Sequence, residues 1–170
     1  MTNTDYTLWL APAGNAYRKL HAMISMLSRT YKTPLFEPHV TLLPKILLSE
    51  EGVIKRTAGL AKQLGPYEIK LSKPGFTDHY LKCLFLHVEM TKEVMQANRI
   101  ARNVFDMDSN APYEPHLSLM YGNISRGEKE KIIKDLADIE IRFKVNSIGL
   151  YLFNRDDTKW AKVREFNLED

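Results

Sequence analysis

Residues 36–43 read Phe-Glu-Pro-His-Val-Thr-Leu-Leu, and residues 113–120 read Tyr-Glu-Pro-His-Leu-Ser-Leu-Met. Glu, Pro, His and one Leu recur unchanged, and the other four positions are conservative pairs. The surroundings repeat as well. Each copy follows a strand and a helix by pattern, and each precedes a serine-capped helix, with the serine ten residues after His39 and nine after His116. An internal repeat of this kind restricts the fold more than any composition does, because both copies must find equivalent places in one structure. The expected arrangement has two lobes about a pseudo-two-fold axis, with the two histidine strands side by side.

The remaining pattern fills in those lobes. Residues 6–11 read as a strand. Tyr17, Leu20, Ile24, Leu27 and Tyr31 recur at three- and four-residue spacing, which predicts an amphipathic helix from Gly14 that Pro34 stops. Residues 39–43 form the first histidine strand. Ser49 caps a helix with Glu50 and Glu51 at its positive end, closed by Gly65-Pro66, and residues 67–71 alternate as a strand. The order then restarts: a strand over 81–90, a helix capped by Thr91 and running to Phe105, a turn-rich stretch, and the second histidine strand over 116–121. Ser125 and Glu128 have capping-box spacing and open a further helix. Strands over 141–145, 148–153 and 160–166 complete the chain. At 170 residues with no linker or low-complexity stretch, the chain reads as a single domain over 1–170 of α+β class.

Composition excludes several classes. The net charge of +3 is too small for a general nucleic-acid binder and suits a small anionic substrate. The one cysteine, Cys83, forbids an intrachain disulfide and sits in an apolar run, as a buried inert thiol would. No stretch approaches the ~18 apolar residues of a membrane span, and the first residues lack the features of a signal peptide. A cytoplasmic protein is expected.

The repeat also carries chemistry. Residues i and i+2 of a strand share a face, so His39 sides with Thr41, and His116 with Ser118. Core packing explains repeated apolar positions, but it has no need of a histidine followed two places on by a hydroxyl, twice. Opening a cyclic phosphate on ribose needs a base to activate water and an acid for the leaving oxygen, and imidazole serves both near neutral pH. The hydroxyls would hold the non-bridging oxygens. A metal site fits less well, because neither motif has further ligands at suitable spacing. Glu37 and Glu114 are read as solvent-exposed.

The motifs His39-Val40-Thr41-Leu42 and His116-Leu117-Ser118-Leu119 resemble the signatures of the two-histidine (2H) phosphoesterase superfamily, and their flanks look most like the plant and fungal cyclic phosphodiesterases. The resemblance implies a bilobal α+β fold with antiparallel sheets lining a central cleft and helices outside. It implies metal- and cofactor-independent hydrolysis of ADP-ribose 1″,2″-cyclic phosphate or nucleoside 2′,3′-cyclic phosphates, catalysed by His39, Thr41, His116 and Ser118. Relatives acting on 2′–5′ linkages or RNA ends supply one alternative, and a binding module without turnover another. The expected partner is a small cyclic-phosphate nucleotide bound by a monomer, with neither membrane nor stable nucleic-acid complex.

Secondary candidates for substrate contact are Tyr121, Phe76, Tyr80 and Trp160. Tyr121 stands three places after Ser118 and would point away from the histidine face of a straight strand, which favours core packing. Phe76, His79 and Tyr80 fall in a segment read as a loop over 74–80. Arg155, Lys159 and Trp160 belong to the last hairpin. Lys45 follows the first motif, where it could attract phosphate, though a lone lysine is ordinarily solvated.

Overall fold

The structure is a computed structural model that describes residues 4–157 and 159–169. Strands β1 (Thr4–Leu10), β2 (Val40–Ile46), β3 (Tyr67–Phe76), β4 (Leu84–Val88), β5 (His116–Met120), β6 (Ile141–Val145), β7 (Ser147–Asn154) and β8 (Lys159–Asn167) alternate with helices α1 (Gly14–Tyr31), α2 (Glu50–Ala61), α3 (Lys92–Val104) and α4 (Arg126–Asp135). The strands form one curled antiparallel sheet in the order β6-β3-β4-β5-β2-β1-β7-β8. The histidine strands β5 and β2 are neighbours at its centre, joined at one register position, Val40 opposite Leu117. The two halves of the repeat are therefore side by side, as the sequence predicts.

The halves are also interleaved. β3 ends the first copy, yet it pairs with β4 and β6 of the second. Helix α1 packs against β5, and α3 packs against β2, so each histidine strand is covered by the other copy's helix. Val40, Leu42, Leu117 and Leu119 point into that covered core and are completely or almost completely buried. Because β2 and β5 share so short a ladder, some β2 carbonyls need other donors. Tyr113 donates its hydroxyl to the Thr41 carbonyl at 2.9 Å, and buried Asn98 donates its amide to the Leu42 carbonyl at 2.7 Å.

The helix ends follow the sequence signals. The Ser49 and Thr91 hydroxyls accept from the backbone of Gly52 and Val94, and Ser125 with Glu128 forms a reciprocal capping box. Helix α1 stops before Pro34: Lys32 turns left-handed and the Thr33 amide reaches back to the Ser28 carbonyl at 3.0 Å.

Among the boundaries that differ from expectation, two bear on the cleft. The stretch 81–90 is not one strand. Its start is a 3-10 turn, Tyr80–Lys82, tied down by the Thr77 hydroxyl on the Lys82 carbonyl and the Gly122 amide on the Tyr80 carbonyl. Strand β3 runs five residues past Leu71, because a register shift between Leu71 and Pro74 absorbs the proline, whose missing N–H would break a regular ladder. Gly75 is required there. A Cβ would lie 2.8 Å from the Phe85 ring and 2.9 Å from His87 Nε2.

Candidate active site

Alternation places His39, which immediately precedes β2, and Thr41 within it, together with His116 and Ser118 of β5, on the uncovered face of the sheet, where they line one cleft of ≈ 500 Å³. The sequence-predicted quartet is thus brought together. Each imidazole is fixed by the same device. His39 Nδ1 lies 2.8 Å from the Glu37 carbonyl and His116 Nδ1 lies 2.9 Å from the Glu114 carbonyl. A carbonyl only accepts, so both Nδ1 atoms carry the proton and both Nε2 lone pairs are left for the cleft. This explains the repeated Glu-Pro-His: a buried proline turns the preceding carbonyl back onto the ring. The glutamate side chains are exposed, as expected. Glu37 accepts from the Tyr17 hydroxyl at 2.8 Å, and Glu114 pairs with Lys82 at 3.2 Å.

The two imidazoles differ in what covers them. His39 lies flat on Trp9, with centroids 3.5 Å apart and planes 5° from parallel, and Trp9 lies on Tyr151 at 3.8 Å. Tyr151 is backed by Gly149, where a Cβ would come within 2.7 Å of its ring. His116 meets the edge of Phe85 at 5.4 Å, with His87 opposite it across the β4–β5 ladder. Burial pushes the His39 pKa from 6.5 down to about 4; the carbonyl hydrogen bond opposes this, and the His116 imidazole adds to it. Burial also lowers the His116 pKa, with Lys82 and His87 adding to it, while the Glu114 carbonyl and carboxylate pull the other way. Both rings are therefore neutral in the free cleft at neutral pH.

The hydroxyls differ too. Ser118 donates to the Leu81 carbonyl at 3.1 Å, whereas the Thr41 hydroxyl faces the cleft with no partner among the described residues. Around them stand Lys45, Lys82, His79 and Arg155, the last paired with buried Asp5. Lys45 reaches the cleft because β2 carries an extra residue at each of two register shifts against β1 and Lys45 turns left-handed, φ 56°.

The secondary candidates separate. Trp160 lines the cleft, 5.8 Å from Trp9, and is stacked on Phe153 at 4.4 Å. Tyr121 is buried yet also lines the cleft, because β5 ends at Met120 and Gly122, at φ 151°, turns the chain; its ring stacks on Phe36 at 3.8 Å. Tyr80 lies outside the cleft, in an adjoining cavity. Phe76 is the correction. It belongs to β3 and not to a loop, with Gly75 on the cleft face and Phe76 on the opposite one. There it packs against the core beneath Lys129, 5.8 Å from the ring centre. Sequence reasoning missed Asp5, Thr7, Trp9 and Lys82. The first three left a signal, since they alternate with Tyr6, Leu8 and Leu10 along a strand otherwise read as one apolar run.

The sequence matches the profile of the Cyclic phosphodiesterase-like protein family over residues 4–168. The chain belongs to that family. Among relatives, the cyclic phosphodiesterase of Arabidopsis thaliana is 25% identical over 171 aligned positions, covering 96% of this chain and 94% of that protein. The 2′,3′-cyclic-nucleotide 3′-phosphodiesterase of Yarrowia lipolytica is 31% identical over 107 positions, 58% of this chain and 50% of that protein. Family membership makes the chain a phosphodiesterase. Escherichia coli LigT complexed with 3′-AMP superposes with a TM-score of 0.62 at 14% identity, covering 99% of both chains; its NADP+ complex also gives 0.62, at 13% and full coverage. These likenesses show that the chain shares the fold of LigT.

Proposed function

We propose that this family member hydrolyses ribose cyclic phosphates to monoesters, on nucleoside 2′,3′-cyclic phosphates or ADP-ribose 1″,2″-cyclic phosphate, with His39 and His116 as the acid–base pair. The observation that carries the reading is the matched presentation of two Nε2 atoms to one cleft, each fixed through Nδ1 to a backbone carbonyl. A neutral imidazole takes a proton from water as the oxygen attacks phosphorus. The opposite bond to the ribose oxygen breaks, and the second imidazole protonates that oxygen as it leaves. Both imidazoles start neutral, and the bound phosphate anion raises their pKa values, so that one takes up a proton from solvent as the substrate binds. Thr41 and Ser118 donate to the non-bridging oxygens, Ser118 by exchanging its bond to Leu81 for one to phosphate. Lys45 and Lys82 add positive charge on the cleft wall.

The substrate is proposed to be small, and the enzyme to act as a cytoplasmic monomer without cofactor. The test is incubation with EDTA and a panel of cyclic phosphates, read by phosphorus NMR. A single monoester isomer, lost in His39→Ala and in His116→Ala, is expected. Persistence of turnover in the double variant would refute the assignment.

A further inference from the structure

Beside the catalytic cleft lies a second cavity of ≈ 700 Å³, larger than the cleft itself. The two share Trp9, Tyr121 and Trp160 as a common wall, so a molecule in one can extend into the other. Their chemistry differs. The cleft holds Lys45, Lys82, Arg155 and three histidines, a lining that suits phosphate. Among the described residues the second cavity has no histidine or arginine, and its charged residues are Glu37 and the ion pair Asp157–Lys159. What it offers is ring surface: Phe36, Tyr80, Tyr121, Tyr151 and Trp160, with Leu35.

Much of that surface is already committed. Tyr151 is stacked on Trp9, Tyr121 on Phe36, and Trp160 on Phe153. Tyr80 is not. Among the described residues its ring stacks on no other ring. It is 40% exposed, and Leu35 is 57% exposed. Two apolar side chains held open to water at the mouth of one cavity are a cost to the free protein that a planar apolar ligand would relieve. The Tyr80 backbone is fixed by the Gly122 amide at 3.0 Å, so the platform is rigidly based. The cleft is large enough for a ribose cyclic phosphate with its neighbouring group, which leaves the second cavity surplus to a mononucleotide.

Resting on the cyclic-phosphate reading above, we propose that this cavity is a subsite for an aromatic base that the substrate carries on a ribose other than the reacting one, with Tyr80 and Leu35 as its specificity determinants. A remote base can come from a nucleotide 5′ to a cyclic 3′ end, or from the adenosine of an ADP-ribose cyclic phosphate. Both present the same chemistry: a planar base tethered through phosphate.

The test compares three substrates on the full-length protein: a nucleoside 2′,3′-cyclic phosphate, a dinucleotide ending in a 2′,3′-cyclic phosphate, and ADP-ribose 1″,2″-cyclic phosphate. At least one remote-base substrate should exceed the mononucleotide about tenfold in kcat/KM, through KM, as stacking of one base commonly gives. The favoured compound identifies the source. Tyr80→Ala and Leu35→Ala should bring that ratio back toward one. Equal kcat/KM for all three in the wild type would overturn the proposal, as would a ratio indifferent to both substitutions. Binding followed by tryptophan fluorescence separates the two readings. Tighter, Tyr80-dependent binding of the remote-base compounds without turnover would sink the hydrolytic reading and support the subsite. Turnover with no such tightening would do the reverse.

Discussion

His39 lies flat against Trp9 at the buried end of a stack of three rings, His39, Trp9 and Tyr151, while His116 touches one ring edge and stands closer to water. Their sequence motifs, carbonyl hydrogen bonds and central strands are otherwise the same. The comparison teaches that the repeat sets tautomer and direction, while non-repeated neighbours set how readily each ring takes a proton. Trp9, Tyr151 and Gly149 have no part in the motif, yet they decide the environment of one of its histidines.

The largest expected effect treats the two rings alike. Replacing either histidine by alanine should lower kcat by roughly 10²–10⁴, the range for a general acid or base. Steady-state kinetics with a cyclic phosphate measure it, and a substantial difference between the two losses would show that one ring only binds. The next effect separates them. In the unfolded chain a histidine titrates near 6.5. Folded His39 titrates at about 4, so between those values the unfolded state binds more protons, and stability present above pH 6.5 is lost as pH falls toward 4. For His39 alone this amounts to roughly 3 kcal/mol at about 1.4 kcal/mol per pH unit. His116 acts in the same direction. Urea titrations across that window should show the slope, and His39→Gln should flatten it more than His116→Gln.

Much of this was legible beforehand and some was not. The quartet, the adjacency of the histidine strands and the helix caps follow from spacing, because strand alternation and cap chemistry are local rules. The place of Phe76 was misread because a proline inside a strand resembles a loop, and only the partner strand shows the register shift that absorbs it. The stacking of Trp9 on His39 depends on β1 lying against β2 with Trp9 opposite Thr41, a long-range pairing that no local pattern specifies.

Two smaller effects sharpen the contrast. Trp9→Leu should let water reach His39 and raise its pKa toward 6.5, with His116 moving much less. NMR titration of the imidazoles reads both at once, and equal movement would show that Trp9 does not set the two rings apart. Smallest is the hydroxyl pair. Ser118→Ala removes a hydrogen bond to the Leu81 carbonyl and should cost about 1 kcal/mol of stability. Thr41→Val removes a hydroxyl that has no partner among the described residues and should come out near neutral in thermal denaturation. Both should slow turnover.

The crossing of the helices has a consequence for precision. The strand bearing His39 is roofed by α3 of the second copy and braced by Asn98 and Tyr113, and the strand bearing His116 is roofed by α1 of the first. Each copy covers the back of the other's histidine strand. The gap between the two imidazoles is therefore dimensioned by close-packed interior and not by surface loops, which can lengthen, shorten or drift without altering it. Such an arrangement can trade its rim residues, and with them what it binds, while keeping the same span between the two imidazoles.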